Sequence, residues 1–198
     1  MRKNNLYILN GLKNKNRGST LLEVIVSVFL LTFGILALMA AQLRSVSSVS
    51  EAENRTIVAQ AAESLMEGMQ ANPSGLERSG GKLIKTYKAY EEDSSSFKGS
   101  GQAAWQGNVS NGNLAKWHLA DFNNALDSKM NNISGYEWKV CPDIEQPKEP
   151  SIGNNGKVSN WNCNSSGSGM AIKVAWTMKS EDKNNSSVSF SYVLRVTD

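Results

Sequence analysis

The side chains of this chain that could carry chemistry are few and far apart. The only histidine is His118, and no serine or cysteine motif stands beside it. A general base needs an oriented partner, so we expect His118 to lie at the edge of the core. Two cysteines are too few for a zinc cluster, and the sequence holds no phosphate-binding loop or nucleophile elbow. An enzyme is therefore the least favoured class, and we expect no catalytic residue, metal or cofactor.

The most unusual carboxylate is Glu23, at the entrance to a long apolar segment. Residues 24–43 form a run of 20 residues without a charge. About 20 apolar residues in a helix cross the hydrocarbon core of a bilayer. A carboxylate beside such a span costs about 2 to 3 kcal/mol unless it is neutralised. Thr20 and Glu23 fit a capping box, so one interpretation is that Glu23 caps the helix N-terminus.

A basic leader precedes the apolar segment. Residues 1–18 contain no acidic residue and five basic ones: Arg2, Lys3, Lys13, Lys15 and Arg17. Basic flanks stay on the cytoplasmic side, so we expect everything after Arg44 on the other side of the membrane. A removed secretory signal peptide is an alternative interpretation. Such a peptide has a shorter apolar core that ends in a small-residue cleavage site.

The junction between leader and apolar run reads Arg-Gly-Ser-Thr-Leu-Leu-Glu-Val over residues 17–24. It resembles the class III signal of type IV prepilins and type II secretion pseudopilins. The resemblance implies that prepilin peptidase cuts between Gly18 and Ser19 and that Ser19 is then N-methylated. Members of the family usually begin with Phe after the cut, whereas this chain begins with Ser19. Removal of the leader would take away five positive charges and turn a formal +3 into −2.

The resemblance makes Glu23 the fifth residue of the mature chain and gives it a role in subunit docking. A carboxylate four residues after the new amine can pair with the amine of a neighbouring subunit when helices stagger in a fibre. In a low-dielectric setting this pairing offsets much of the cost of burying both ions. Glu23 is therefore expected to mark the register between otherwise featureless apolar helices.

The helical pattern continues beyond the apolar run. Apolar residues recur at helical spacing through residues 44–72, and Asn72-Pro73 is a strong stop signal. We expect a membrane or filament half at residues 19–43 and an amphipathic half at residues 44–72. A coiled coil or signal-anchor stalk is the alternative. The first 73 residues are similar to those of PilV-type minor pilins, which correspond to the I-type subunit of the pseudopilin tip complex.

Residues 73–198 are expected to form a separate globular head. Three of its segments alternate apolar with polar or small residues, as strands do: 136–141, 170–178 and 188–196. The last two predict an antiparallel hairpin, and residues 114–130 predict an amphipathic helix. One apolar sheet face would receive the second half of the long helix. This predicts an α+β fold, and the resemblance implies the same pilin architecture.

Cys141 and Cys163 would both lie outside the cytoplasm, where a disulfide can persist. The segment between them is rich in Pro, Gly and Asn and lacks apolar residues to pack itself. A bridge would tether it and contribute about 3 kcal/mol, while free thiols are the alternative. In many pilins the comparable loop is exposed and faces partners.

The resemblance implies a non-enzymatic minor pilin that helps to initiate type IV pilus assembly, at the pilus tip. Its partners would be prepilin peptidase, other minor pilins, the major pilin and the inner-membrane assembly platform. The chain would cross the inner membrane once, with its head in the periplasm, and then enter the pilus. A type II secretion pseudopilin and a pilus-borne adhesin or DNA-binding subunit are the alternatives. Direct nucleic-acid binding is disfavoured, because tryptophans in helices and strands are usually core residues and scattered lysines are usually solvated.

Overall fold

The computed structural model describes residues 19–79, 81–98, 109–165, 169–179 and 187–196. The leader with Gly18 lies outside these residues, and so does Trp105. The chain divides into two compact units, Met1–Val49 and Ser50–Asp198. The long helix α1, Ser19–Ala71, contributes residues to both units.

The helix α1 confirms the prediction of a long N-terminal helix. It contains no proline, and its end at Ala71 comes just before Asn72-Pro73. The Asn72 backbone N–H donates to the carbonyls of Gly68 (3.1 Å) and Met69 (3.0 Å), which closes the last turn. In the first unit the apolar side chains of this helix are exposed.

The described residues of the second unit form one further α-helix and eight strands. The helix α2 begins at Asn111, earlier than the predicted residue 114, because Ser110 caps it by accepting a hydrogen bond from the Asn113 N–H. The elements after α1 are β1 (Gly75–Ser79), β2 (Lys82–Thr86), a 3₁₀ turn (Lys88–Tyr90), β3 (Glu92–Asp93), α2 (Asn111–Lys129), β4 (Gly135–Asp143), β5 (Ser151–Ile152), β6 (Val158–Asn160), β7 (Gly169–Lys179) and β8 (Ser187–Val196).

The main sheet has four antiparallel strands in the order β3-β4-β7-β8. Strands β7 and β8 form the predicted antiparallel pair, with Trp176 opposite Phe190 in register. The two pairs β1-β2 and β5-β6 form separate two-stranded sheets. This arrangement confirms the α+β class, with a long helix followed by an antiparallel sheet domain.

A single apolar core joins the second half of α1, the helix α2 and one face of the main sheet. Its largest fully buried aromatic side chains are Trp138, Trp176 and Tyr90. The tryptophans of β4 and β7 are therefore core residues, as expected. Asn54 on α1 is also buried and donates to the Met178 sulfur at 3.4 Å, which links α1 to β7.

The predicted apolar face of the sheet is confirmed, since it packs against the second half of α1, and the opposite face of β7 is buried in addition. Ala171, Lys173, Ala175 and Thr177 point away from the core cluster, and they are buried as well. The segment between the cysteines covers this second face, since backbone carbonyls within it receive hydrogen bonds from Lys173. The cover on this second face was not predicted, because the covering segment contains few apolar residues that would indicate packing against a sheet.

Candidate functional site

The N-terminal part of α1 presents an apolar surface without any cover in the described structure. Leu21, Val24, Phe29 and Leu36 are among its many exposed apolar residues. Two of its hydroxyls are satisfied within the helix, because Ser27 donates to the Glu23 carbonyl at 2.7 Å and Thr32 donates to the Phe29 carbonyl at 2.8 Å. Because both helix ladder and hydroxyls are internally satisfied, this surface suits an apolar surrounding. By length and composition, the helix is long and apolar enough to cross a membrane.

Glu23 is the one carboxylate on the described helix before Glu51. Its side chain is exposed and joins no ion pair within the part of the chain described here. The predicted cleavage site lies between Gly18 and Ser19. Gly18 lies outside the described residues, and only the helical backbone of Ser19 is described. The structure therefore places Glu23 one turn into α1, where its carboxylate is accessible to a group from another molecule.

Cys141 and Cys163 form a disulfide with a Cα–Cα distance of 6.1 Å. Cys141 is buried on β4, and Cys163 is exposed just before β7. The bridge closes a segment that contains the small sheet β5-β6. It therefore ties the C-terminal end of the covering segment back to β4, the strand from which the segment starts.

A buried ion pair lies on the sheet face that the covering segment packs against, and it was not predicted from the sequence. The Lys173 ammonium lies 2.5 Å from the Asp143 carboxylate, and the two side chains are 0% and 2% exposed. Lys173 also donates to the carbonyls of Lys148, Trp161 and Asn162, each at 2.9 Å. One feature of the sequence could have indicated this pair: a lysine stands between Ile172 and Val174, within a strongly apolar predicted strand.

The ion pair joins the disulfide-closed segment to β7. Because three carbonyls and one carboxylate surround the ammonium, its charge and its donors are all used inside the protein. The pair is therefore a structural anchor that holds the segment at Lys148, Trp161 and Asn162, while most of the segment's residues remain exposed or half-buried.

His118 lies in a polar network at the end of α1. Its Nδ1 is 2.8 Å from the Tyr90 hydroxyl, which also contacts the Gly68 carbonyl at 3.2 Å. The Asn72 side-chain amide donates to the same hydroxyl at 3.0 Å. Partial burial lowers the pKa of His118 below its usual value, although Asp121 opposes this shift. These contacts agree with the expected place of His118 at the core edge.

The described residues offer no site typical of a metal or nucleic-acid ligand. Groups of three or more His, Cys, Asp and Glu side chains placed to hold a metal are absent from them. Trp138 and Trp176 are buried and so present no stacking surface, and Lys88 is paired with Glu77 at 2.6 Å. These two tryptophans and this lysine are therefore not available as the stacking and basic groups that single-stranded nucleic acid requires.

Comparison with protein families finds one match, to the prokaryotic N-terminal methylation motif, over residues 13–39. No curated protein and no solved structure matches the chain. The motif covers the residues around Gly18, Ser19 and Glu23 and the first part of the apolar run. It supports a pilin or pseudopilin subunit, implies processing by prepilin peptidase and membrane association, and points to a structural subunit rather than an enzyme.

Proposed function

We propose that this chain is a minor pilin, a non-enzymatic subunit that joins other minor pilins to initiate type IV pilus assembly. The observation that carries the proposal is the methylation motif over residues 13–39, which leads directly into an uncovered apolar helix. In this proposal prepilin peptidase removes residues 1–18, and Ser19 becomes the methylated N-terminus. The similarity of the first 73 residues to PilV-type minor pilins supports a place in the tip complex.

The proposed path of the molecule has two stages. The apolar half of α1 first anchors the chain in the inner membrane, with the disulfide-bonded head in the periplasm. The same apolar surface then packs against neighbouring helices in the pilus, where it again avoids water. Oxidising conditions in the periplasm support the disulfide between Cys141 and Cys163. The assembly platform, the major pilin and the other minor pilins are the proposed partners.

Glu23 is proposed to set the register of this packing. Its carboxylate is the sole acidic group on the first eight described turns of α1, and it faces outward. After cleavage the Ser19 α-amine of a neighbouring subunit provides the opposite charge. Pairing in an apolar setting offsets most of the free-energy cost of burying the two ions. A helix docked in a different register would leave both ions buried and unpaired.

Glu23→Val tests this role, with Glu23→Asp as the matched variant that keeps the charge. We expect Glu23→Val to remain in the membrane fraction but to be lost from sheared pili and to support few pili. Immunoblots of the two fractions and counts of pili by electron microscopy measure both effects. Normal incorporation and normal pilus numbers for Glu23→Val would contradict the proposal.

A type II secretion pseudopilin is the second candidate, because the same motif precedes both kinds of subunit. The head of roughly 125 residues is large for an I-type pseudopilin, which favours the pilus. Deletion of the gene separates the two functions. We expect loss of pili with normal export of folded periplasmic proteins, whereas the reverse phenotype would assign the chain to secretion.

A further inference from the structure

The hairpin of β1 and β2 carries an exposed apolar pair that the core does not use. Leu76 and Leu83 are each 64% exposed. Leu76 lies opposite Lys85, and Arg78 lies opposite Leu83. Because alternate residues of a strand share a face, these four side chains lie together on one face of the hairpin. We call Leu76, Arg78, Leu83 and Lys85 the hairpin face.

The opposite face of the hairpin is already engaged. There Glu77 lies opposite Ile84, and its carboxylate pairs with Lys88 at 2.6 Å. By contrast, Arg78 and Lys85 join no ion pair within the described ranges of the chain. The hairpin face is therefore both basic and apolar, and it retains its charges for another molecule.

A complementary surface lies on the second half of α1. Glu53, Glu63 and Glu67 are exposed on the side of the helix opposite buried Val58 and Leu65. We call these three carboxylates the glutamate stripe; it spans about 21 Å along the helix axis. The nearby Arg55 pairs with Glu51 at 3.9 Å. The three carboxylates of the glutamate stripe join no ion pair among the described residues.

We propose that the hairpin face docks on the glutamate stripe of a second copy of this chain. The hairpin face extends over two residues of each strand, about 7 Å, and Glu63 and Glu67 lie four residues apart on α1, about 6 Å along its axis. The two basic residues and these two carboxylates therefore match in spacing as well as in charge. Docking would remove Leu76 and Leu83 from water and pair Arg78 and Lys85 with Glu63 and Glu67. Within one chain, no ion pair among the described residues joins the hairpin face to the glutamate stripe. The charges of both surfaces can therefore pair with those of a second copy.

The two surfaces differ, so the contact is heterologous: each copy offers its hairpin face to one neighbour and its glutamate stripe to another. Contacts of this kind generate rings or open helical arrays rather than two-fold dimers. The inference goes beyond a role at the tip, because it describes how copies of this chain contact each other through their heads. It does not depend on Glu23 or on leader cleavage.

Directional cysteine cross-linking tests the contact in membranes that contain the full chain. One tagged copy carries Leu83→Cys in the hairpin face, and a second, differently tagged copy carries Gln60→Cys within the glutamate stripe. We expect a disulfide-linked species that contains both tags when the copies are co-expressed. Lys116→Cys on the exposed side of α2 replaces Gln60→Cys as the matched control, and we expect no linked species from it.

Charge reversal then separates specific docking from chance collision. Arg78→Glu with Lys85→Glu in the Leu83→Cys copy should lower the cross-linked fraction by roughly fivefold, since exposed ion pairs are individually weak. Glu63→Lys with Glu67→Lys in the Gln60→Cys copy should restore it. Lys116→Glu with Lys129→Glu on α2 adds the same charges elsewhere and should leave the fraction unchanged. Thermal unfolding of each variant checks that the head still folds.

The proposal is overturned by any of three results. The first is that the two cysteines do not cross-link in the folded chains. The second is that cross-linking is insensitive to reversal or is not restored by the compensating pair. The third is that the Lys116→Cys control links equally well, which would show random contact. Since no arm uses pilus formation as its readout, failure of the minor-pilin proposal would be seen separately.

Discussion

At the scale of single residues, the half-buried Asp93 has a strongly lowered pKa among the described acids of the head. Its Oδ1 accepts hydrogen bonds from the Ser95 hydroxyl at 2.5 Å and from the backbone N–H groups of Ser95 and Ser96, both at 3.0 Å. Lys139 lies 3.4 Å from its other oxygen. These contacts, led by the Ser95 hydroxyl, lower the pKa of Asp93 from 3.8 to about 2. The carboxylate thus organises the serine turn that the sequence marks only as a loop.

Asp93→Asn is expected to lower the free energy of unfolding by about 1 to 2 kcal/mol at neutral pH. A carboxylate with a lowered folded-state pKa stabilises the fold above pH 3.8, and that contribution is lost as the pH falls towards about 2. The difference between wild type and variant should therefore shrink across this window. Urea unfolding followed by tryptophan fluorescence at several pH values measures it. A difference that stays constant with pH would contradict this assignment, and Glu91→Gln on the adjacent exposed position is the control.

At the scale of elements, the contact between α1 and α2 depends on the absence of one side chain. A Cβ placed on Gly68 would lie 2.8 Å from Nδ1 of His118. The same histidine is held by the Tyr90 hydroxyl, so it cannot easily move aside. Gly68 therefore allows the last turns of α1 to approach α2 closely, even though glycine is a poor helix former.

Gly68→Ala is expected to destabilise the head by about 1 to 3 kcal/mol, because the added methyl overpacks the contact. In a His118→Ala background the same change should become neutral or stabilising, since alanine is then favoured in the helix. The four proteins form a double-mutant cycle, read by thermal or urea unfolding. Gly112→Ala, where nothing lies within 4 Å of the added Cβ, is the matched control. Additive effects of Gly68→Ala and His118→Ala would show that the clash is absent.

At the scale of the whole molecule, the head is layered, with the main sheet covered on both faces. The apolar core fixes the helices on one side through cumulative burial of side chains. The opposite sheet face is held differently. There the covering segment is attached by one disulfide and by the buried Lys173–Asp143 ion pair. One polar anchor and one covalent bond replace the apolar contacts that this segment lacks.

Lys173→Met is expected to cost about 3 to 5 kcal/mol, because it leaves a buried carboxylate and three backbone carbonyls without their partner. Adding Asp143→Leu should recover much of that loss, since the charge left behind is then removed. Limited proteolysis should show earlier cleavage within residues 144–162 in Lys173→Met, and urea unfolding gives the energy. Lys157→Met on the exposed surface is the control. A single variant as stable as wild type would show that the buried pair contributes nothing net.

Much of the architecture was predictable because it is encoded locally. Apolar periodicity predicted α1, α2 and the strands β4, β7 and β8, and the stop at Asn72-Pro73 predicted the helix end. The start of α2 was predicted three residues late, since the Ser110 cap precedes any apolar residue. The short strands β1, β2, β3, β5 and β6 were missed, because two to five residues are too few to establish a period.

The sequence by itself determined the signal around Gly18 and Glu23, the apolar span and the α+β order of elements. Each of these depends on neighbouring residues along the chain, and local patterns record such information. The tertiary structure alone decided that Lys173 is buried, that both faces of β7 are covered and that Gly68 meets His118. These features join residues 11 to 50 positions apart, and burial of a lysine is favourable only where the folded chain has gathered its acceptors in one place.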